Sequence, residues 1–440
     1  MIAFEVSVAQ NQFLPSGETD IDAIVSVRAR TDGATATPGQ RAIVLIIDVS
    51  SSMGAVPDRQ IAAKAAARAA VEALPAGTLF AVIAGNHQAE AVYPATGLAR
   101  ADPETREEAR SAIRHLRSHG GTAMDTWLTR AREVFDRHPE ATIRQAVLLT
   151  DGYNESPREE LEATVRYSEG HFRCDCRGIG VGWKAEDLLL ISDRLQGTSL
   201  DTPTGDDLQR DFRDLVTAAA YRAASAVRLQ VWIPLDARIR YVKQVAPTIQ
   251  ALTAVPDPDD PQTFDFPIGD WGNEQRDYQI GIGGLQDPGA DRGRRPGEKA
   301  SLAGCVTIVH DGPSSHGTSG TGTGLDAGGE IFALWTEDAS RYSVVNREVA
   351  RYAGLVGYGE AVRRGVAAYS EHDLALAAEH LGRAVRLAYE AGEQKRIDQL
   401  ERGLLTVIDA AAGKVRIRED VSAHQLNINE LRSRWTVPIG

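Results

Sequence analysis

The chain is short of cysteine. It has three in 440 residues, Cys174, Cys176 and Cys305, an odd number too small for a disulfide framework. Cys174 and Cys176 lie in an alternating stretch over 171–178, where both side chains of a strand would face the same way. With no CxxC and no histidine pair nearby, a metal or redox role lacks partners, and the pair reads as two small residues filling one strand face. Long apolar runs are also missing, and none reaches the ~18–20 residues that span a membrane. The opening MIAFEVSVAQNQFLPSGETD has no basic stretch before an apolar core. It therefore does not read as a secretory leader, and the cytoplasm is the expected location. Basic charge is in deficit too, with 48 Lys and Arg against 61 Asp and Glu and a net charge of −13. Such a chain repels phosphate backbones, so neither nucleic acid nor a membrane is expected as a partner.

What is present is ordinary globular composition, 42% hydrophobic and 25% charged. At roughly 100–200 residues per domain, the length implies two to four units. Residues 1–40 read as two strands ahead of a turn-rich segment. From residue 41 the pattern changes. AIVLIID is a continuous apolar run, as expected of a strand buried on both faces of a parallel sheet. An alanine-rich helix follows over about 58–74, then the strands TLFAVIAGN and AEAVYP, and helices over about 102–117 and 121–138. The strand AVLLTDG, a helix from Pro157, the strand RCDCRGIGVG, the helix KAEDLLLISDRL and a last helix over about 206–224 complete the series. Alternating strands and helices predict an α/β domain with a doubly wound, mostly parallel sheet over 41–224. Residues 225–345 are rich in strand-like segments and predict an antiparallel β-sandwich. The strands of 1–40 have no other sheet to join, so they are expected to complete that sandwich, with the α/β domain inserted in it. Three amphipathic segments, 346–369, 373–391 and 393–412, predict a C-terminal helical bundle. Residues 414–440 form a tail of no assignable structure.

Three short segments carry chemistry. Asp48-Val-Ser50-Ser-Ser52 follows the strand AIVLII directly, Gly120-Gly121-Thr122 opens a helix, and Thr150-Asp151-Gly152 follows the strand AVLL. The C-terminal ends of parallel strands share one edge, where open α/β sheets bind ligands. Asp48, Ser50, Ser52, Thr122 and Asp151 can therefore converge there. Five oxygen-bearing side chains with two carboxylates suit a hard divalent cation, with some acting through water and one position left open to an outside carboxylate. D-x-S-x-S alone reads equally as a helix-capping cluster, and TDG alone as a turn. All three in order, two of them after buried strands, point to a metal site. Hydroxyls and few charges favour Mg²⁺ or Mn²⁺, with Ca²⁺ also compatible.

These segments resemble the von Willebrand factor type A family. DVSSSMG matches its D-x-S-x-S metal motif, GGTAM its threonine loop and LLTDG its second aspartate; GIGVGW and the helix after it resemble the elements that close the domain. The resemblance covers about residues 41–224. It implies a metal-ion-dependent adhesion site in which Ser50, Ser52 and Thr122 touch the metal directly and Asp48 and Asp151 act largely through water. A partner's acidic residue would complete the metal's coordination. The flanking sandwich and helices resemble inter-α-trypsin-inhibitor heavy-chain-type proteins and intracellular bacterial relatives. In the latter, the resemblance implies an AAA+ ATPase as a partner.

Other motifs are weaker. Gly178-x-Gly180-x-Gly182 lacks the Lys-Ser/Thr of a phosphate loop and the full dinucleotide fingerprint, and reads as strand-end packing. Ser50 and Ser52 are in no G-x-S-x-G elbow. His87, His115 and His119 fall near the expected site edge, where one could serve as a base, but read as surface or core histidines. Arg292, Arg294 and Arg295 read as a solvated basic loop, and 320–324 as a flexible glycine loop. The expected function is a metal-dependent protein-binding module, not an enzyme. A metal-dependent hydrolase, or a scaffold that binds through its helical bundle, are the alternatives.

Overall fold

The computed structural model describes residues 2–31, 41–202, 204–287, 300–310 and 324–437. The basic loop with Arg292, Arg294 and Arg295 lies outside them, as do residues 320–323 of the glycine loop. The chain divides into two compact units. One comprises 33–225 and 422–431, the other 1–32, 226–421 and 432–440.

The first unit is α/β. Its seven-stranded sheet runs Ser199–Thr202, Arg173–Ile179, Ile143–Thr150, Arg41–Asp48, Leu79–Gly85, Ala89–Tyr93, with Ala99–Arg100 also on Leu79–Gly85. The first five strands are parallel and the last two antiparallel to their neighbour. The apolar run of the central strand divides by strand periodicity. Ile43, Leu45 and Ile47 face the helices Pro57–Ala73, Pro103–Arg114 and Gly205–Ala220. Ala42, Val44 and Ile46 face Met124–Asp136, Arg158–Ser168 and Ala185–Arg194. Each fully buried branched side chain contributes roughly 1.5–3 kcal/mol, so this two-sided burial fixes both register and layer order. Pro57–Ala73 meets the sheet through Ala63, Ala66, Ala67 and Ala70, small residues that bring its backbone close.

Part of the C-terminal tail also belongs to this unit. Leu431 and Ile428 of the helix Ala423–Ser433 join the second core, and Asn427 accepts the Ala185 N–H at 3.1 Å and donates to the Trp183 carbonyl at 2.7 Å.

The second unit pairs two sheets. Five strands run in the order Ile2–Gln10, Ile21–Thr31, Glu274–Gly283, Arg238–Ala246, Gln250–Ala251. Six run Val255–Pro256, Thr263–Trp271, Ala224–Trp232, Ser301–His310, Gly324–Thr336, Phe13–Pro15. Phe4 of the first sheet meets Trp271 of the second edge to face at 5.5 Å. Ile21–Thr31 pairs antiparallel with Glu274–Gly283, so the α/β unit is an insertion between strands of one sandwich. Helix Arg347–Ser370 packs Tyr352, Leu355 and Val356 on Ile24, Val245 and Ala246, and the Tyr352 hydroxyl donates to Asp277 at 2.5 Å.

Helix Leu374–Glu390 returns against Arg347–Ser370. The third helix, expected over 393–412, ends at Gly403, and Leu405–Asp409 and Lys414–Ile417 form a hairpin. Thr406, Val407 and Ile408 are β-branched and disfavour helix, and Gly413 turns at φ +66° against the carbonyl of Gly382. Among the described residues no helix is long and apolar enough to cross a membrane.

Candidate metal centre

The parallel register sets Ile47 beside Leu149, which brings Asp48 and Thr150 together at the sheet's C-terminal edge. The Thr150 hydroxyl donates to Asp48 Oδ2 at 2.6 Å, and the Ser50 N–H donates to Asp48 Oδ1 at 2.7 Å. The second bond bends the chain from the strand into the short helix Ser51–Ala55. Ser50 stands at the N-cap of that helix but makes no side-chain capping bond. Its hydroxyl lies 2.9 Å from that of Ser52, and Ser52 donates to Asp151 Oδ1 at 2.6 Å. A serine hydroxyl has one proton, so Ser50 supplies the proton of the Ser50–Ser52 pair. The D-x-S-x-S cluster therefore spends its hydroxyls on the site and not on capping.

Thr122 arrives from the opposite loop. Gly152 has no side chain, and a Cβ there would lie 3.0 Å from Thr122 Oγ1 and 3.6 Å from Ser52 Oγ. All five sequence-identified side chains thus gather at one edge. Asp48, Ser50, Thr122 and Asp151 are buried, and Ser52 is half-buried. The threonine loop is clamped by close backbone approaches. Gly120 turns at φ +76°, with the His87 ring where a Cβ would project, and its carbonyl accepts the Ser51 N–H at 2.9 Å. Thr122 donates its N–H to Glu155 Oε2 at 3.3 Å, and Glu155 returns an N–H to the Thr122 carbonyl at 2.8 Å.

Burial pushes the Asp48 carboxyl up to about 6; its hydrogen bonds from Ser50 and Thr150 oppose the rise, and nearby Asp151 adds to it. Asp151 has its own cation, with Arg59 Nη1 2.9 Å from Oδ2. Two buried carboxylates, of which Asp151 alone contacts the guanidinium, leave an unbalanced negative charge in a low-dielectric pocket. The donors are all oxygen, which suits a hard divalent ion. Among the described residues no group of three or more His, Cys, Asp or Glu side chains could hold a metal, here or elsewhere; this centre offers two acids and three hydroxyls.

The remaining candidates resolve into packing. Cys174 and Cys176 lie in the core of the α/β unit. Gly178 admits the Trp183 ring, whose atoms would lie 2.5 Å from a Cβ, and Gly182 lies against the Asp151 carbonyl. His115 Nδ1 meets the Ser111 carbonyl at 2.8 Å. His119 Nε2 meets the Asn86 side chain at 3.0 Å, with the His87 ring 6.5 Å away. Sequence reasoning missed Arg59, Thr150 and Glu155 as parts of the site. Thr150 was signalled by its place in LLTDG, whereas Arg59 and Glu155 stand in polar surface sequence with no such cue.

A family model described as von Willebrand factor type A domain matches residues 41–201. The von Willebrand factor type A structure from Catenulispora acidiphila is 35% identical and superposes with a TM-score of 0.88, over 99% of this chain and 97% of that one. The chain belongs to the von Willebrand factor type A family. VWA2, the ArnB paralog of Sulfolobus acidocaldarius, shares the fold at TM-score 0.55 and 14% identity, over 98% of each chain. Uncharacterized protein sll0103 of Synechocystis sp. is 26% identical over 218 residues, 48% of this chain, and the chain spans about half that relative's length (50%). In this von Willebrand factor type A chain the helix Gly205–Ala220 lies beyond the matched 41–201 yet packs Leu208, Phe212 and Val216 into the same core.

Proposed function

We propose that this protein is a non-enzymatic binding module. Asp48, Ser50, Ser52, Thr122 and Asp151 form a metal-ion-dependent adhesion site for one divalent cation, Mg²⁺ first, with Mn²⁺ and Ca²⁺ as alternatives. When bound, the ion supplies a Lewis-acidic position for the carboxylate of an Asp or Glu on a partner protein.

One observation carries the reading. Ser50 heads a helix without capping it, and its hydroxyl runs through Ser52 to buried Asp151, with Thr122 facing the same gap across Gly152. Both oxygens of each acid already accept bonds, Asp48 from Ser50 and Thr150, Asp151 from Ser52 and Arg59. That supports the three hydroxyls as direct donors and the two acids as partners through water. Of the histidines expected near the edge, His115 and His119 are engaged with Ser111 and Asn86 and the His87 ring lies against Gly120; none is seen to bond Asp48, Ser50, Ser52, Thr122 or Asp151 among the described residues, which does not favour a hydrolase. Tyr153 and Val181 are 48% and 55% exposed beside Gly152 and Gly182, and give the site an apolar margin for a protein surface.

Calorimetric titration with Mg²⁺, Mn²⁺ and Ca²⁺ tests the site. Saturable uptake is expected in the wild type and lost in Ser50→Ala and Thr122→Ala, with circular dichroism unchanged. No uptake by the wild type, or full uptake by both variants, would sink the proposal. Capture of a partner, with AAA+ ATPases the class to try first, is expected with Mg²⁺ and abolished by EDTA. EDTA-resistant capture would instead assign binding to the C-terminal helices. Phosphoester turnover abolished by Asp48→Ala would assign an enzyme.

A further inference from the structure

Arg59 is the one basic residue seen to bond either acid of the candidate centre among the described residues. It is the third residue of the helix Pro57–Ala73, and its N–H closes the first turn onto the Val56 carbonyl. Its guanidinium meets Asp151 Oδ2 at 2.9 Å; the Asp151 side chain is fully buried and that of Arg59 is 21% exposed. The seat is built for it. Gly180 turns at φ +70°, and a Cβ there would stand 2.5 Å from Arg59 Nε. An ordinary side chain at 180 would meet both a strained backbone and the guanidinium. Arg59 therefore lies on a glycine floor, with Asp151 in front of it.

Charge and geometry then act together. Ser52 takes one oxygen of Asp151 and Arg59 takes the other. The guanidinium cancels one of the two carboxylate charges, so ionised Asp48 and Asp151 present a single net negative charge to a divalent ion. We infer that Arg59 sets the metal affinity of the centre and couples it to capture of an acid. It holds Asp151 in the outer, water-mediated role, and it lowers affinity for a bare cation by like-charge repulsion. The bound ion keeps an uncancelled positive charge, which an incoming carboxylate neutralises. Metal uptake and acid capture are thereby coupled: the ion is held weakly alone and firmly when an acid closes the site. This inference rests on the metal-site reading proposed above.

The test is calorimetric titration of the full chain with MnCl₂ in carboxylate-free buffer, repeated with saturating acetate as the acid probe. Arg59→Gln keeps an amide donor for Asp151 and removes the charge; Arg59→Lys keeps the charge. Arg59→Gln is expected to tighten Mn²⁺ binding without acetate by roughly tenfold or more, while Arg59→Lys stays near wild type. Acetate is expected to strengthen Mn²⁺ binding in the wild type and to do so less in Arg59→Gln. Thermal melts of the metal-free proteins establish that both variants fold. Unchanged or weaker Mn²⁺ affinity in folded Arg59→Gln, or an Arg59→Lys variant that behaves like Arg59→Gln, overturns the role of Arg59 and leaves the metal site standing. Absence of uptake in the wild type and both variants overturns the metal site and this inference with it.

Discussion

Asp48 and Asp151 stand at the ends of adjacent strands, yet among the described residues only Asp151 is seen paired with a cation. Burial pushes the Asp48 carboxyl up to about 6 from its ordinary 3.8, and nearby Asp151 adds to the rise. The sign follows from linkage. The folded metal-free protein holds this proton more tightly than the unfolded chain, so Asp48 costs stability above the folded value, and the cost is relieved as pH falls toward the unfolded value. The full effect is on the order of 2–3 kcal/mol. In chelator, the melting temperature of Asp48→Asn is expected to exceed wild type near pH 7, with the gap narrowing as pH falls through about 6 and closing only near the unfolded value of 3.8, because only wild type loses a buried charge over that range. Divalent-ion affinity should run the other way and fall as pH drops through about 6, since a protonated acid competes with the ion. Flat affinity across that window would remove Asp48 from the site. The five candidate oxygen donors were legible because their types and their strand-end positions are set locally. Arg59 was not, because an Asp-Arg pair opening a helix has the same sequence whether it faces water or a buried acid.

The elements around the site are held by large rings set over absent side chains. Trp127 lies over Gly85, where an added Cβ would stand 2.5 Å from the ring, and its Nε1 donates to the Asn86 carbonyl at 2.7 Å. Gly85→Ala is expected to cost about 1–3 kcal/mol or more by overpacking, read as a lower denaturation midpoint at constant slope; a neutral result would mean that the helix Met124–Asp136 shifts freely. Asn427 bridges Trp183 and Ala185 by two backbone bonds. Asn427→Ala should cost about 1–3 kcal/mol and speed hydrogen exchange at Ala185. Equal exchange in variant and wild type would show that the tail helix does not fasten this corner. The alternating strands and helices of 41–224 were readable from their apolar runs. The hairpin after Gly403 was misread as helix because Leu405 and Ile408 sit three apart, a helical spacing, whereas β-branching with a Gly413 turn decided it and left Ile408 exposed opposite buried Leu405. The tail helix gave little signal, since few of its residues are apolar and its burial depends on a surface distant in sequence.

Across the whole molecule, the strand Ile21–Thr31 finds Glu274–Gly283 only after roughly 240 intervening residues. Deleting residues 1–31 would leave the Glu274–Gly283 backbone unpaired along one side, and open edges of this kind associate. The truncated chain is expected to elute as aggregate on size exclusion where the full chain does not; a monodisperse, folded product would contradict this account. The insertion was legible by elimination, since the first strands had no other sheet to join. The chain passes from one compact unit to the other at 32/33, 225/226, 421/422 and 431/432. No single cut of the gene can therefore lift the α/β unit out whole. A fragment ending at 201 would lose the helix Gly205–Ala220, and one ending at 225 would still lack 422–431. Such a module resists transplantation by simple recombination, and its two halves are expected to be inherited as one indivisible stretch.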